Sequence, residues 1–154
     1  MKLLNFTAPE LAFARLAVGD RVACLRHMVE RLSEIGRIRE PETLLSELLA
    51  REEVETTGIG QGIAIPHARS DTVLSSVVMI ATLAEPIDFN AVDGEPVDLI
   101  LLLAGSRELP GEQLRVLARI SKLVRLDGFL ADLRGATTPA EIVRAVQAAE
   151  ARHF

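Results

Sequence analysis

The spacing of apolar residues along the chain predicts helices interleaved with strands. Apolar residues recur every three or four positions over residues 21–35 and 114–124, which is the period of an amphipathic helix. The helical stripes assigned to these segments include Val22 in the first and Leu114 in the second. Residues 73–83 are rich in β-branched side chains, and residues 97–104 are almost entirely apolar. Both favour strands, and the second reads as a strand buried on both faces.

Start and stop signals add four shorter elements. Residues 13–18 read as a short strand, and residues 128–133 as a short helix. Pro41 suits the first turn of a helix over residues 42–51, because its missing N–H is not needed there. A last helix starts at Thr138, with Pro139 as its first residue and Glu141 placed to complete a capping box.

This order of elements predicts an α/β fold. We expect a single-domain sandwich over residues 1–154, with a core from about residue 10 to 150 and a mixed β-sheet flanked by helices. The chain is 49% apolar and 25% charged, which is typical of a globular domain. It has no transmembrane run and no signal-peptide core, so we expect a cytoplasmic protein without direct membrane insertion.

Charge and cysteine content exclude several classes of function. A formal net charge of −5 argues against a nucleic-acid partner, since such domains usually carry a basic excess. The single cysteine, Cys24, excludes an internal disulfide framework and a cysteine-based zinc site. Its place in a helical pattern predicts simple core packing. The acidic pair Glu52-Glu53 is expected to be a solvated helix terminus.

The richest chemistry lies between Thr57 and His67. Three glycines alternate within five residues, at positions 58, 60 and 62, and Pro66 directly precedes the histidine. Glycine permits positive φ and close backbone approach, while Pro66 fixes its own φ and favours an extended residue before it. The pattern predicts an imidazole at a stiff strand end, beside a loop whose N–H groups could face an anion.

Common motifs do not account for this stretch. Its glycine spacing fits neither a dinucleotide fingerprint nor a P-loop, and no Gly-x-Ser-x-Gly elbow occurs in the chain. No histidine or cysteine lies at metal-ligand spacing from His67. The remaining chemical use is nucleophilic attack on phosphorus, which needs a neutral imidazole and positioned donors. A satisfied core histidine is the alternative that the residues leave open.

Two stretches of the chain resemble enzyme IIA of the fructose/mannitol class: Leu48 to Glu52, and Thr57 to His67. The nitrogen-regulatory type of this class is the most similar. These proteins belong to the bacterial phosphoenolpyruvate-dependent phosphotransferase system. The resemblance implies a mannitol-type IIA fold, and an active His67 that accepts a phosphoryl group on Nε2 from the phosphocarrier protein HPr. The group then passes to a cysteine of an enzyme IIB, or serves as a regulatory signal to a target protein. No cofactor and no metal are implied.

The resemblance also assigns supporting residues. Arg51 matches the family arginine beside the active histidine, and its planar guanidinium suits a phosphoryl oxygen. Apart from the resemblance, Thr57 and Gly58 at the loop entry are candidate phosphoryl-binding residues, and capping of the turn is the alternative role for Thr57. Relatives often carry a second histidine where this chain has Gln113, whose amide can donate a hydrogen bond but cannot become cationic.

Three functions follow from these expectations. The chain could be a transport component that works with IIB and IIC, or a free-standing nitrogen-type regulator, which its length favours. The rival from another class is a regulatory binding domain that kept the fold but cannot be phosphorylated, and Gln113 is the observation in its favour.

Overall fold

A six-stranded sheet with helices on both faces forms the body of the protein, and this confirms the predicted mixed sheet flanked by helices. The short strands between residues 58 and 70 were not predicted. The computed structural model describes residues 1–154. The strands are β1 Ala12–Leu16, β2 Gly58–Gly60, β3 Ile63–Ala64, β4 His67–Ser70, β5 Val77–Ile87 and β6 Val97–Ser106; the helices are α1 Arg21–Glu34, α2 Pro41–Val54, α3 Pro110–Leu123, α4 Phe129–Gly135 and α5 Pro139–His153; two 3-10 turns, Leu3–Phe6 and Pro9–Leu11, precede β1. None of the helices has the length and apolar character needed to cross a bilayer.

Strand β6 organises the sheet. It pairs antiparallel with β5 on one side, and β5 pairs parallel with β1. On its other side β6 pairs parallel first with β3 and then with β4, in the register Ile63↔Leu99 and His67↔Leu103. Strand β2 pairs with β3 but not with β4, so the outer edge of the sheet is open where β4 begins.

The core has two layers, one on each face of the sheet. Helices α1 and α2 cover one face, and helices α3, α4 and α5 cover the other. The residues of β6 from Leu99 to Ala104 are all fully buried, which confirms the prediction of a strand buried on both faces. Cys24 is also fully buried, and this burial raises the pKa of its thiol to about 12, in agreement with a packing role.

Two predictions about these elements need correction. The strand assigned to residues 73–83 starts only at Val77 and continues to Ile87, because Val73 forms an isolated bridge with Ile38 and the chain bends at residues 74–75. Leu114 is 72% exposed. The core face of α3 is formed by Val116, Ile120 and Leu123, and a residue two positions before Val116 lies roughly on the opposite side of the helix.

Smaller differences concern the first and last helices. Val22 is 44% exposed, so the buried stripe of α1 begins with Cys24 and Leu25. At the start of α5, Thr138 accepts a hydrogen bond from the Glu141 N–H at 3.2 Å, as a helix cap should. The Glu141 carboxylate accepts from the Thr137 N–H at 2.7 Å, one residue earlier than a regular capping box.

Candidate active site

His67 opens strand β4 at the break between β3 and β4. Pro66 has no N–H to donate to a neighbouring strand, but its carbonyl accepts a hydrogen bond from the Leu103 N–H at 2.9 Å. On the side of the antiparallel strands β2 and β3, the Ile65 N–H donates to the Thr57 carbonyl at 3.0 Å. The break therefore holds His67 between two fixed backbone segments.

One ring nitrogen of His67 is committed to the backbone. Nδ1 lies 2.8 Å from the carbonyl oxygen of Ile65. A carbonyl oxygen can only accept a hydrogen bond, so Nδ1 must carry the proton. In the neutral imidazole the lone pair is then on Nε2. The structure thus provides a half-buried histidine whose Nε2 is the available nucleophilic atom.

A cavity of about 520 Å³ adjoins this histidine. Its lining consists of Arg51, His67, Ala68, Arg69, Arg107 and Gln113. Three of these six residues are arginines and none is acidic, although the chain as a whole has a net charge of −5. A concave surface with one sign of charge favours a ligand of the opposite sign, so this cavity is suited to an anion.

The three arginines reach the cavity from different elements. Arg51 is in the last turn of α2, where its Nη1 donates to the Glu55 carbonyl at 3.0 Å. Arg69 is two residues beyond His67 on β4, and therefore on the same face of the sheet; its guanidinium has no partner within the chain. Arg107 follows β6.

Gln113 approaches the cavity from the first turn of α3. Its Oε1 is buried without a hydrogen-bond partner against Gly105, where an added Cβ would clash with it. The NH2 end of the amide is then the end left for the cavity. The structure thus brings three sequence-predicted residues, His67, Arg51 and Gln113, to one place.

Thr57 and Gly58, the other two predicted phosphoryl-binding residues, do not line this cavity. Thr57 is buried, and both its N–H, at 3.1 Å, and its hydroxyl donate to the Glu52 carboxylate. The Gly58 N–H donates to the Thr56 hydroxyl at 3.1 Å. A side chain at Gly58 would come within 2.9 Å of Ala91, so the glycine serves a close backbone approach.

Sequence reasoning missed Arg69, Arg107 and the role of Glu52. The position of Arg69 could have been inferred from strand alternation after His67, whereas Arg107 depends on the pairing of β4 with β6. Glu52 was expected to be solvated, but it is only 5% exposed because two donors of Thr57 converge on it. Arg21 adds a longer ion pair at 3.8 Å.

We expect Glu52→Ala to reduce the free energy of unfolding by about 2–4 kcal/mol, because it leaves the buried donors of Thr57 without an acceptor. The adjacent Glu53→Ala removes an exposed carboxylate and should change the stability by less than about 0.5 kcal/mol. Urea unfolding of both variants measures the difference. Equal stabilities would mean that Glu52 does not support the hairpin.

Comparison with known proteins identifies the family. The family model described as "Phosphoenolpyruvate-dependent sugar phosphotransferase system, EIIA 2" matches residues 5–149. A nitrogen regulatory protein of Bradyrhizobium diazoefficiens is 33% identical over 134 residues, 87% of each chain. The 2-O-alpha-mannosyl-D-glycerate-specific EIIABC component of Escherichia coli is 30% identical over 148 residues, which are 95% of this chain but 22% of that protein.

Solved structures agree with the sequence matches. The crystal structure of the nitrogen regulatory protein IIA-Ntr from Neisseria meningitidis superimposes with a TM-score of 0.86 at 26% identity, covering 94% of this chain and 98% of that one. The resemblance drawn from the glycine-rich stretch and Pro66-His67 is confirmed by these findings. The chain belongs to the EIIA 2 family of the phosphoenolpyruvate-dependent sugar phosphotransferase system, the phosphocarriers of that system.

Proposed function

We propose that His67 accepts a phosphoryl group from HPr and carries it on Nε2. The main support is that the free lone pair of His67 is on Nε2 and that the adjoining cavity is lined by three arginines and no carboxylate. Family membership supports a phosphotransfer role for the chain in general. The proposal adds the covalent intermediate, the atom that holds it and the donor.

The chemistry requires few groups. The Nε2 lone pair attacks phosphorus, the P–N bond of the donor phosphohistidine breaks, and a new P–Nε2 bond forms. Attack makes the His67 ring cationic, and the Ile65 carbonyl, 2.8 Å from Nδ1, stabilises that charge. The guanidinium groups of the cavity neutralise the oxygens of the phosphoryl group in transit. The proton on Nδ1 does not move.

The phosphoryl group then has two possible uses. In the transport version it passes to a cysteine of an enzyme IIB, and the match to the E. coli EIIABC component supports this. In the regulatory version the phosphorylation state is read by a target protein, and the match to the Bradyrhizobium nitrogen regulatory protein supports that. Both versions place the chain in the cytoplasm with its donor.

An omission experiment tests the donor. Incubation with phosphoenolpyruvate, enzyme I and HPr should add one acid-labile phosphoryl group, measured by intact mass. Without HPr the mass should not change. Phosphorylation in the absence of HPr would contradict HPr as the donor, and no phosphorylation in the complete mixture would favour a binding domain that cannot be phosphorylated.

Gln113 should modulate transfer without being essential. Gln113→Ala removes one neutral hydrogen bond to a phosphoryl oxygen, worth about 1 kcal/mol, and should slow phosphorylation about five-fold. Gly105→Ala is the matched variant, since its methyl group would displace Oε1 of Gln113 from its present place. Both variants should show similar rates in rapid-quench measurements and unchanged thermal unfolding. Wild-type rates in both would show that Gln113 does not contact the phosphoryl group.

A charged side chain at this position should have the opposite effect. Gln113→His should speed phosphorylation several-fold below about pH 7, where the new imidazole is protonated. The gain should disappear at higher pH. A gain that does not depend on pH would exclude the charge of the imidazole as its cause.

A further inference from the structure

Arg107 lies on a wall shared by two cavities. One is the His67 cavity described above. The other, which we name the acidic cavity, has a volume of about 510 Å³ and no hydrophobic residue in its lining. Its lining consists of Arg39, Glu40, Thr43, Glu47, Asp71, Thr72 and Arg107. Arg107 is the only residue common to the two linings.

Arg107 makes one short ion pair, one hydrogen bond to a backbone carbonyl and one long ion pair. Its Nη2 donates to Glu47 Oε2 at 2.8 Å and to the Arg69 carbonyl at 3.1 Å. Its Nη1 is 3.8 Å from Asp71 Oδ2. The Arg107 side chain is 52% exposed, and ion pairs at such exposure contribute little because water screens them.

Glu47 does not depend on Arg107 for its position. Its other oxygen, Oε1, accepts a hydrogen bond from the Ser70 hydroxyl at 2.6 Å. Ser70 is fully buried on β4, three residues after His67, so this bond fixes the carboxylate to the same strand. When Arg107 leaves, Oε1 keeps its bond to Ser70, and water can replace Arg107 at Oε2 because the Glu47 side chain is 26% exposed.

We propose that Arg107 exchanges Glu47 for the phosphoryl group when His67 becomes phosphorylated. Arg107 is then a phosphoryl-contact residue, and Glu47 is the positioning residue that holds it beforehand. This inference rests on the phosphorylation of His67 proposed above. A phosphoryl group carries up to two negative charges, and a guanidinium can bind it through two parallel N–H groups.

The exchange has a consequence for the neighbouring surface. When Arg107 leaves, Arg39 is the only cation in the lining of the acidic cavity, beside the carboxylates of Glu40, Glu47 and Asp71. Phosphorylation of His67 thereby makes the surface of the acidic cavity, beside the site, more negative. A target protein with a basic segment can distinguish the two states by this change in charge.

A double-mutant cycle on the phosphoryl equilibrium with HPr tests the proposal. Arg107→Gln should lower the equilibrium constant for phosphorylation about five- to ten-fold, through loss of a charge-assisted hydrogen bond. Glu47→Gln should raise it about two- to five-fold, because Arg107 loses its competing carboxylate while Ser70 keeps an amide acceptor. In the Arg107→Gln background, Glu47→Gln should have no effect.

Arg39→Gln is the control, because it removes a guanidinium from the acidic cavity that does not line the His67 cavity. It should leave the equilibrium constant within two-fold of wild type. Arg107→Lys should fall between wild type and Arg107→Gln, since it keeps the charge without the planar fork. Reductions of the same size for Arg107→Gln and Glu47→Gln, or no change in either, would overturn the exchange. Wild-type protein that is not phosphorylated on His67 would overturn the proposed function itself.

Discussion

Replacement of His67 by glutamine is expected to abolish phosphoryl uptake while leaving the fold intact. The variant has no nucleophilic nitrogen to form the P–N bond, so no slower route through the same atom remains. The cost to stability should be about 1 kcal/mol, the value of the single hydrogen bond between His67 and the Ile65 carbonyl. Intact-mass measurement after incubation with phosphoenolpyruvate, enzyme I and HPr gives the phosphoryl stoichiometry, and thermal unfolding gives the stability.

The other histidines supply matched controls. His27 is exposed on α1 with its ring 5.3 Å from that of Phe13, and His153 is the last residue of α5. Neither lines the cavity. His27→Gln and His153→Gln should each take up one phosphoryl group like the wild type. If phosphorylation persisted in His67→Gln and was lost in His27→Gln or His153→Gln, the histidine replaced in that variant would be the phosphorylated residue.

Arg51→Ala is expected to slow phosphorylation by about 10- to 1,000-fold, the range for loss of one strong electrostatic donor in a transition state. Arg51 lines the cavity and donates one N–H group to the Glu55 carbonyl, so its other N–H groups are free to bind the phosphoryl oxygens. Its side chain is not buried, so the melting temperature should hardly change. Rapid-quench kinetics with phosphorylated HPr measures the rate.

Arg26→Ala is the control for the general effect of removing a positive charge. Arg26 pairs with Glu42 on the exposed surface of α1 and α2, outside the cavity. Its removal should change the rate by less than two-fold. Equal effects of the two substitutions would reduce Arg51 to a contributor to the overall charge. A large loss of melting temperature with a normal rate would make it a structural residue.

The position of His67 could be predicted because its signal is local. Pro66 and the alternating glycines determine the backbone around it within ten residues of sequence. The fold class could also be predicted, since β6 is a continuous apolar run and most apolar positions of the helices recur with the helical period. Arg51 required the family resemblance, because nothing in its own helix distinguishes a site arginine from a surface one.

The remaining features depend on tertiary contacts that periodicity does not specify. Arg107 reaches the site only because β4 runs parallel to β6 with Ser70 opposite Ser106. Glu52 is buried because Thr57 turns both of its donors toward it, whereas polarity alone predicts an exposed residue. Leu114 shows the reverse error, an apolar residue on the solvent side of its helix.

We propose above that Nε2 of His67 carries the phosphoryl group while Nδ1 stays bonded to the Ile65 carbonyl. Nitrogen-15 NMR of the histidine rings, recorded before and after phosphorylation with phosphoenolpyruvate, enzyme I and HPr, tests it most directly. We expect phosphorus coupling at Nε2 of His67 alone, with Nδ1 protonated in both states. Coupling at Nδ1 of His67, or at a nitrogen of His27 or His153, would contradict it.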